Sequence, residues 1–331
     1  KKKWSKVIQL TTTVLLLVQL VAYGSLFLTT DDGAFHYAEN ELCLNMEQQF
    51  TISSNENIIV LLFDNLPNEE ARATYPDITK GLEDFTYYNN ADCNYYGTYP
   101  SFIHILTGNP LDLSLSVNDY FKQSWDNEKT NAYFNILHSH NYKMNVFSYL
   151  SEVMTGGNSL EIAEGKVDNI IEKDDAREID KPLLYKTMLK MSLYRYMPEY
   201  FKPKFDVQNE QYASIVSYPN NTMQYSNPNF YNTMMEKGLT IDDSSNYFVV
   251  NHLNGGHEFI NDANCQYAQD PDRDDTIKGI FLLAAEYINQ IKESGSYDDS
   301  TIIIMTDHGT GRKAQPIFFM KEPHETHDVM Q

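Results

Sequence analysis

The sequence is poor in cysteine. Only three occur, Cys43, Cys93 and Cys265, far apart and odd in number, with no CxxC pair and no Cys/His cluster. That excludes a zinc finger or a disulfide-stapled scaffold, which need ligands or pairs at short, regular spacing. One bridge stays open, but small buried thiols are the preferred reading. Positive charge is also scarce: 25 Lys and Arg stand against 46 Asp and Glu, a formal net charge of -21. So acidic a chain repels phosphate backbones, and no nucleic-acid partner is expected. The same charge argues against a domain that docks electrostatically onto anionic lipid. No internal repeat is visible.

Aromatic side chains, by contrast, are abundant, with 24 Tyr and 17 Phe among 331 residues, separated by Asn-rich loops. This composition suits a folded domain rather than a disordered chain, and the length suits one large domain better than two small ones.

The amino terminus has no charge from Val7 to Leu28. As a helix these 22 positions would reach about 33 Å, enough to cross a bilayer's hydrocarbon core. Lys1, Lys2, Lys3 and Lys6 precede the run, and Asp31 and Asp32 follow it. The positive-inside rule therefore predicts a cytoplasmic tail at 1–6, a transmembrane helix at 7–28 and everything later outside the cytoplasm. A cleaved signal peptide fits less well, because the apolar run is long and no A-x-A site follows. Gln9, Gln19 and the Thr11 to Thr13 run are polar for a lipid-facing helix, which suggests covering by other helices. The chain starts without Met, so this span is read as the last of several. Residues 29–56 read as a juxtamembrane linker.

The folded domain is predicted over 57–331. The apolar run Ile58 to Phe63 in "NIIVLLFDNLP" is what a strand buried on both faces looks like, and it ends at Asp64. "ILHSHNYKMNVFSYL" reads as a helix end, a turn and a strand; "NYFVVNHLNGGHEF" as a strand entering a polar loop. "DTIKGIFLLAAEYINQIKESGSYDDSTIIIMTDHGTG" reads as an amphipathic helix, a turn and the strand Thr301 to Met305, with Asp307 and His308 at its end. Alternating helices and buried strands predict an α/β fold with a mainly parallel central sheet and helices on both faces. Residues 155–240 break the rhythm and read as an insertion capping the sheet's active edge.

In "YYGTYPSFIHILTG", Thr98 stands just before Pro100, which suits the first turn of a helix. Strand ends on one side of such a sheet are where ligands bind. Asp64, Thr98, Asp307 and His308 would together offer two carboxylates, a hydroxyl and an imidazole, a donor set suited to Zn²⁺ or Mn²⁺. A metal and a helix N-terminus would each lower the pKa of the Thr98 hydroxyl, making it a candidate nucleophile. Ser101, one turn on, is the alternative. His138 and His140 have metal-like spacing but sit at a helix end, where cations are favoured, and read as structural. His324 and His327 have no assigned place.

In order, "NIIVLLFD", "TYPSFIHILTG", "HLNGGHEF" and "ESGSYDDSTIIIMTDHG" resemble the sulfatase branch of the alkaline phosphatase superfamily over roughly residues 57 to 331. Sulfatases carry Cys-x-Pro-Ser-Arg, whose cysteine or serine becomes formylglycine; here Thr98 and Phe102 hold the Cys and Arg positions. An unmodified threonine is similar to the membrane-anchored lipoteichoic acid synthases and phosphoethanolamine transferases. The resemblance implies that Asp64, Thr98, Asp307 and His308 ligate one divalent ion, Zn or Mn first and Mg or Ca after. It implies that Thr98 is catalytic and that His257, and secondarily His252, contacts the substrate phosphate. It also implies a phospholipid donor, a glycan or glycolipid acceptor, and a cell-membrane location with an extracytoplasmic catalytic domain. The alternatives are an extracytoplasmic sulfatase-like hydrolase or phosphodiesterase, and an inert membrane-anchored binding domain.

The sequence departs from the family at several points. Asp64 stands where many of these transferases have glutamate, and Asn65 replaces a second carboxylate common in calcium-type sulfatases. After Gly309 the chain runs "TGRKAQPIFFMK", without the downstream histidine of many phosphoethanolamine transferases, which leaves phosphoglycerol open. The chain ends soon after the apparent strand Ile317 to Met320, so a truncated carboxyl end is expected.

Overall fold

In the computed structural model the described residues are 2–29, 42–74, 79–148, 151–172, 178–207, 215–217, 225–309 and 315–330. The chain divides into two compact units, Lys1–Glu41 and Leu42–Gln331. The first contains helix α1 (Lys2–Thr29). Its segment Lys3–Ser25 has mean hydropathy 1.7 and is long and apolar enough to cross a membrane.

The second unit contains strands β1 (Leu42–Leu44), β2 (Thr51–Ser53), β3 (Asn57–Phe63), β4 (Thr86–Tyr87), β5 (Tyr142–Phe147), β6 (Ile170–Glu172), β7 (Glu178–Ile179), β8 (Val216–Ser217), β9 (Thr240–Asp242), β10 (Asn246–Leu253), β11 (Ser300–Thr306) and β12 (Phe318–Lys321). Its helices include α2 (Asn68–Ala73), α3 (Thr98–Thr107), α4 (Val117–Trp125), α5 (Glu128–Ser139), α6 (Glu152–Thr155), α7 (Lys181–Tyr196), α8 (Asn227–Lys237) and α9 (Arg273–Ser294).

Six strands form one sheet in the order β4-β12-β11-β3-β10-β5. Strands β11, β3, β10 and β5 run parallel, while β12 is antiparallel to both β11 and β4. This is the mainly parallel α/β sheet that the sequence predicts. Strand β3 shows why its apolar run is continuous. Ile59, Leu61 and Phe63 face a core shared with Ile280, Ala284, Tyr287 and Ile291 of α9, whereas Val60 and Leu62 face a second core with Phe102 of α3, Trp125 of α4 and Phe134 of α5. A strand covered on both faces has no position to spare for a polar side chain. Each such side chain contributes about 1.5–3 kcal/mol by leaving water.

The helices start where the sequence supplies caps. Ser116 accepts from the Asp119 N–H, Asn127 from the Thr130 N–H and Asp272 from the Asp274 N–H. Helix α9 ends at Gly295, whose φ of 83° is the left-handed C-cap conformation.

Two boundary expectations need correction. The linker expected through residue 56 is shorter, because the folded unit begins at Leu42. Strand β1 pairs with β6, and β2 with β9. The insertion expected at 155–240 is also narrower. Leu160, Ala163 and Val167 belong to the second core, and Phe230 and Met234 of α8 to the first.

Candidate functional site

Strand register brings the site together. Phe63 is level with Leu253 on one side and with Thr306 on the other. The next residues, Asp64, Asn254 and Asp307, therefore leave three adjacent strands at one height. Backbone bonds lock this edge: the Asp64 N–H donates to Leu253 O, the Gly256 N–H to Asp64 O and the Asp307 N–H to Phe63 O. The double glycine of "HLNGGHEF" follows from that closeness. A Cβ on Gly255, at φ +56°, would lie 2.6 Å from Asp64 O, and one on Gly256 would lie 2.8 Å from Asn65 O.

Asp64, Asp307 and His308 place one ligand atom each within 4.8 Å of one another. His308 Nε2 lies 3.4 Å from Asp64 Oδ1 and 3.6 Å from Asp307 Oδ2. Its Nδ1 is 3.1 Å from the Gly309 carbonyl. In the neutral ring a proton on Nδ1 would satisfy that carbonyl and turn Nε2 toward the carboxylates, the tautomer a metal ligand needs. Asp307 Oδ1 accepts from the Asn65 and His308 backbone N–H groups. Asp307 Oδ2 and Asp64 Oδ1 are buried and have no hydrogen-bond partner among the described residues.

Thr98 joins this group from α3. Its Oγ1 is 3.4 Å from His308 Nε2. It is the first residue of the helix rather than its cap, a place held by Gly97 with no side-chain bond. The hydroxyl therefore has no capping duty. Ser101 is buried in the same first turn and its Oγ has no partner among the described residues.

The electrostatics are those of an anionic pocket. Burial, and then the charge of Asp64, push the Asp307 carboxyl up to about 6. Burial works against a charged His308, but the neighbouring Asp64 and Asp307 outweigh it and push the imidazole up to about 9. Two buried carboxylate oxygens, an imidazole nitrogen whose proton a cation would displace, and a hydroxyl fit a divalent cation.

The two other expected site histidines differ. His257 is 56% exposed, with Nδ1 3.6 Å from Asp64 Oδ1. His252 is only 3% exposed, packs its ring 5.0 Å from that of Phe102, pairs through Nδ1 with Ser148 Oγ at 3.1 Å, and leaves Nε2 without a hydrogen bond among the described residues. Burial pushes its pKa down to about 4. His138 is paired with Asp168. His324 and His327 sit at the other end of β11: the His324 N–H donates to Asp298 O, and the His327 N–H to Asp84.

Sequence reasoning missed three supporting residues. Buried Asn227 clamps the glycine turn, donating to Gly255 O and accepting from the Gly255 N–H. Ser148 orients His252, and half-buried Cys93 lies beside Gly309 and Asp307. Burial pushes that thiol up to about 11, so it stays protonated beside the carboxylates. Among the described residues, Cys43, Cys93 and Cys265 form no disulfide. None of the three supports carries a local sequence signal, because each acts on a distant segment.

No family model matches the chain, and no curated protein matches it. Solved structures do. A protein of the alkaline phosphatase superfamily from Vibrio parahaemolyticus is 13% identical, with TM-score 0.50 over 87% of this chain and 64% of that one. The fold is that of the alkaline phosphatase superfamily. The lipoteichoic acid synthase LtaP from Listeria monocytogenes is 11% identical, with TM-score 0.49 over 87% of this chain and 71% of that one. The soluble domain of lipooligosaccharide phosphoethanolamine transferase A from Neisseria meningitidis is 11% identical, with TM-score 0.40 over 86% and 80%. The chain thus spans 64% of the length of the Vibrio superfamily structure.

Proposed function

We propose that this chain is a membrane-anchored, metal-dependent transferase. It moves a phospho-headgroup, phosphoglycerol or phosphoethanolamine, from a phospholipid to a cell-envelope glycan or glycolipid through a phosphothreonine on Thr98. One observation carries the reading. An unmodified threonine hydroxyl with no structural duty lies 3.4 Å from His308 Nε2, within a group whose buried carboxylate oxygens lack donors.

Asp64, Thr98, Asp307 and His308 would hold one divalent ion, Zn²⁺ or Mn²⁺ first. When bound it supplies the positive charge that lowers the pKa of the Thr98 hydroxyl and offsets charge on the phosphoryl oxygens. Thr98 Oγ gives up its proton and forms a bond to phosphorus, the diacylglycerol oxygen leaves and takes up a proton, and the headgroup phosphate remains esterified to Thr98. The acceptor hydroxyl then forms its own bond to phosphorus, loses its proton, and Thr98 Oγ departs. The start of α3, with no side-chain cap, places positive helix potential beside the anionic group. Exposed His257 contacts the phosphoryl oxygens that gain charge. His252 is the weaker candidate and reaches substrate only through its unpartnered Nε2. Phe102, fully buried against His252, fills the position where formylglycine sulfatases carry arginine, which disfavours sulfatase chemistry. Helix α1 is the anchor, and its amino-terminal lysines put the catalytic unit outside the cytoplasm.

The test is intact-protein mass spectrometry of the full chain with Mn²⁺ or Zn²⁺, after incubation with phosphatidylglycerol or phosphatidylethanolamine. A gain of one phospho-headgroup, lost in Thr98→Ala, is expected. No adduct from either lipid while metal is bound would overturn the transferase, and turnover of soluble esters by water would then favour a phosphodiesterase.

A further inference from the structure

Helix α7 carries large apolar side chains that the rest of the domain leaves exposed. Met188, Leu189 and Tyr196 follow Tyr185 by three, four and eleven residues, and so share one stripe. They are 68%, 56%, 61% and 78% exposed. The one buried residue of the helix, Thr187, lies on the opposite side. Tyr200, just beyond the helix, is 86% exposed. An apolar stripe directed at water has no reason to exist in an aqueous environment alone.

The charge of the segment is equally out of keeping. Residues 181–205 carry six Lys and Arg against one Glu, a net +5 in a chain of net -21. Lys202 pairs with Glu199, and Lys190 lies 3.4 Å from the Asp206 carbonyl. Lys181, Lys186 and Arg195 have no ion pair among the described residues, and all three are exposed. They border the tyrosine and leucine stripe.

We propose that the α7 segment is a second, interfacial membrane contact that lies in the headgroup region of an anionic bilayer. Tyrosines favour that depth because the ring is apolar and the hydroxyl is not, and long cationic side chains reach from an apolar stem to lipid phosphates. The stripe enters the acyl boundary while Lys181, Lys186 and Arg195 meet the anionic surface. Charge complementarity selects lipid over a second copy of this acidic chain, which would bring a large like charge. The overall charge of -21 argues against lipid docking only when it is spread evenly, and here it is not. The proposal rests on the membrane-anchor half of the proposed function and not on its chemistry.

The test uses the full chain reconstituted in vesicles with brominated acyl chains, made of phosphatidylcholine with or without phosphatidylglycerol. In a Trp4→Phe background, Tyr196→Trp adds one indole to the stripe; buried Trp125 gives the constant signal measured in Trp4→Phe alone. With phosphatidylglycerol the added indole is expected to shift to the blue and to be quenched, and Lys186→Glu with Arg195→Glu is expected to abolish both effects. An unchanged red emission in both vesicles would overturn the proposal. So would a blue shift without quenching, which would mean coverage by protein. The readout needs no turnover, so its failure is separate from failure of the adduct assay.

Discussion

Thr98 Oγ1 lies 3.4 Å from His308 Nε2 although 210 residues separate them in the chain. The contact joins the first residue of α3 to the residues after β11. It predicts that Thr98→Ala removes the phospho-adduct and lowers turnover by at least about a thousandfold, the scale seen when a nucleophile is lost. Because Thr98 caps nothing, thermal unfolding should move by no more than about 0.5 kcal/mol. Thr98→Ser should keep measurable adduct, since a hydroxyl remains.

Asp307→Asn should have opposite effects with and without metal. The asparagine keeps an Oδ1 that can accept from the Asn65 and His308 N–H groups but removes a buried charge beside Asp64. Metal-free protein should melt at the same or a higher temperature. With saturating Mn²⁺ or Zn²⁺ the order should reverse, because ligand at a hundred times its Kd stabilises by about 2.7 kcal/mol and the variant loses most of that binding. Calorimetry with and without chelator measures both signs.

His252 predicts acid sensitivity. Burial lowers its pKa from the ordinary 6.5 to about 4, so it takes up a proton more readily when unfolded. Protonation therefore favours the unfolded chain. The full stability is present above pH 6.5 and is lost progressively as pH falls toward 4, by about 3 kcal/mol in all. His252→Gln should flatten this part of the stability profile, as followed by denaturant titration.

Gly255→Ala places a methyl group 2.6 Å from Asp64 O at a φ of +56°. Neither the backbone of β3 nor that of the turn can give way without moving Asp64. The substitution should cost more than about 1–3 kcal/mol and weaken metal binding together with it. Melting and metal titration of the same sample test the coupling.

The ends of β3, β10 and β11 were legible because each closes an apolar run with polar residues, and burial demands that pattern whatever the partner. Asp64, Asp307 and His308 could be placed on one edge for that reason. The short strands Leu42–Leu44 and Thr51–Ser53 were not legible and read as linker. Three residues make no periodic signal, and both strands owe their existence to distant partners, Ile170–Glu172 and Thr240–Asp242. Asn227 was hidden for the same reason: nothing near it in the chain announces Gly255. Helix α7 was not legible either, because its apolar residues lie on more than one face. Periodicity alone cannot tell an apolar stripe that faces a core from one that faces away.

The register of β11 against β3, Thr306 level with Phe63, has a further meaning for how the chain folds. Side chains alternate faces along a strand, so slippage by one residue would carry Asp307 away from Asp64 and exchange the two faces of β11. The carboxylate pair thus acts as a vernier for the sheet. A cation held between residues 64 and 307 would proofread the central strands over their whole length.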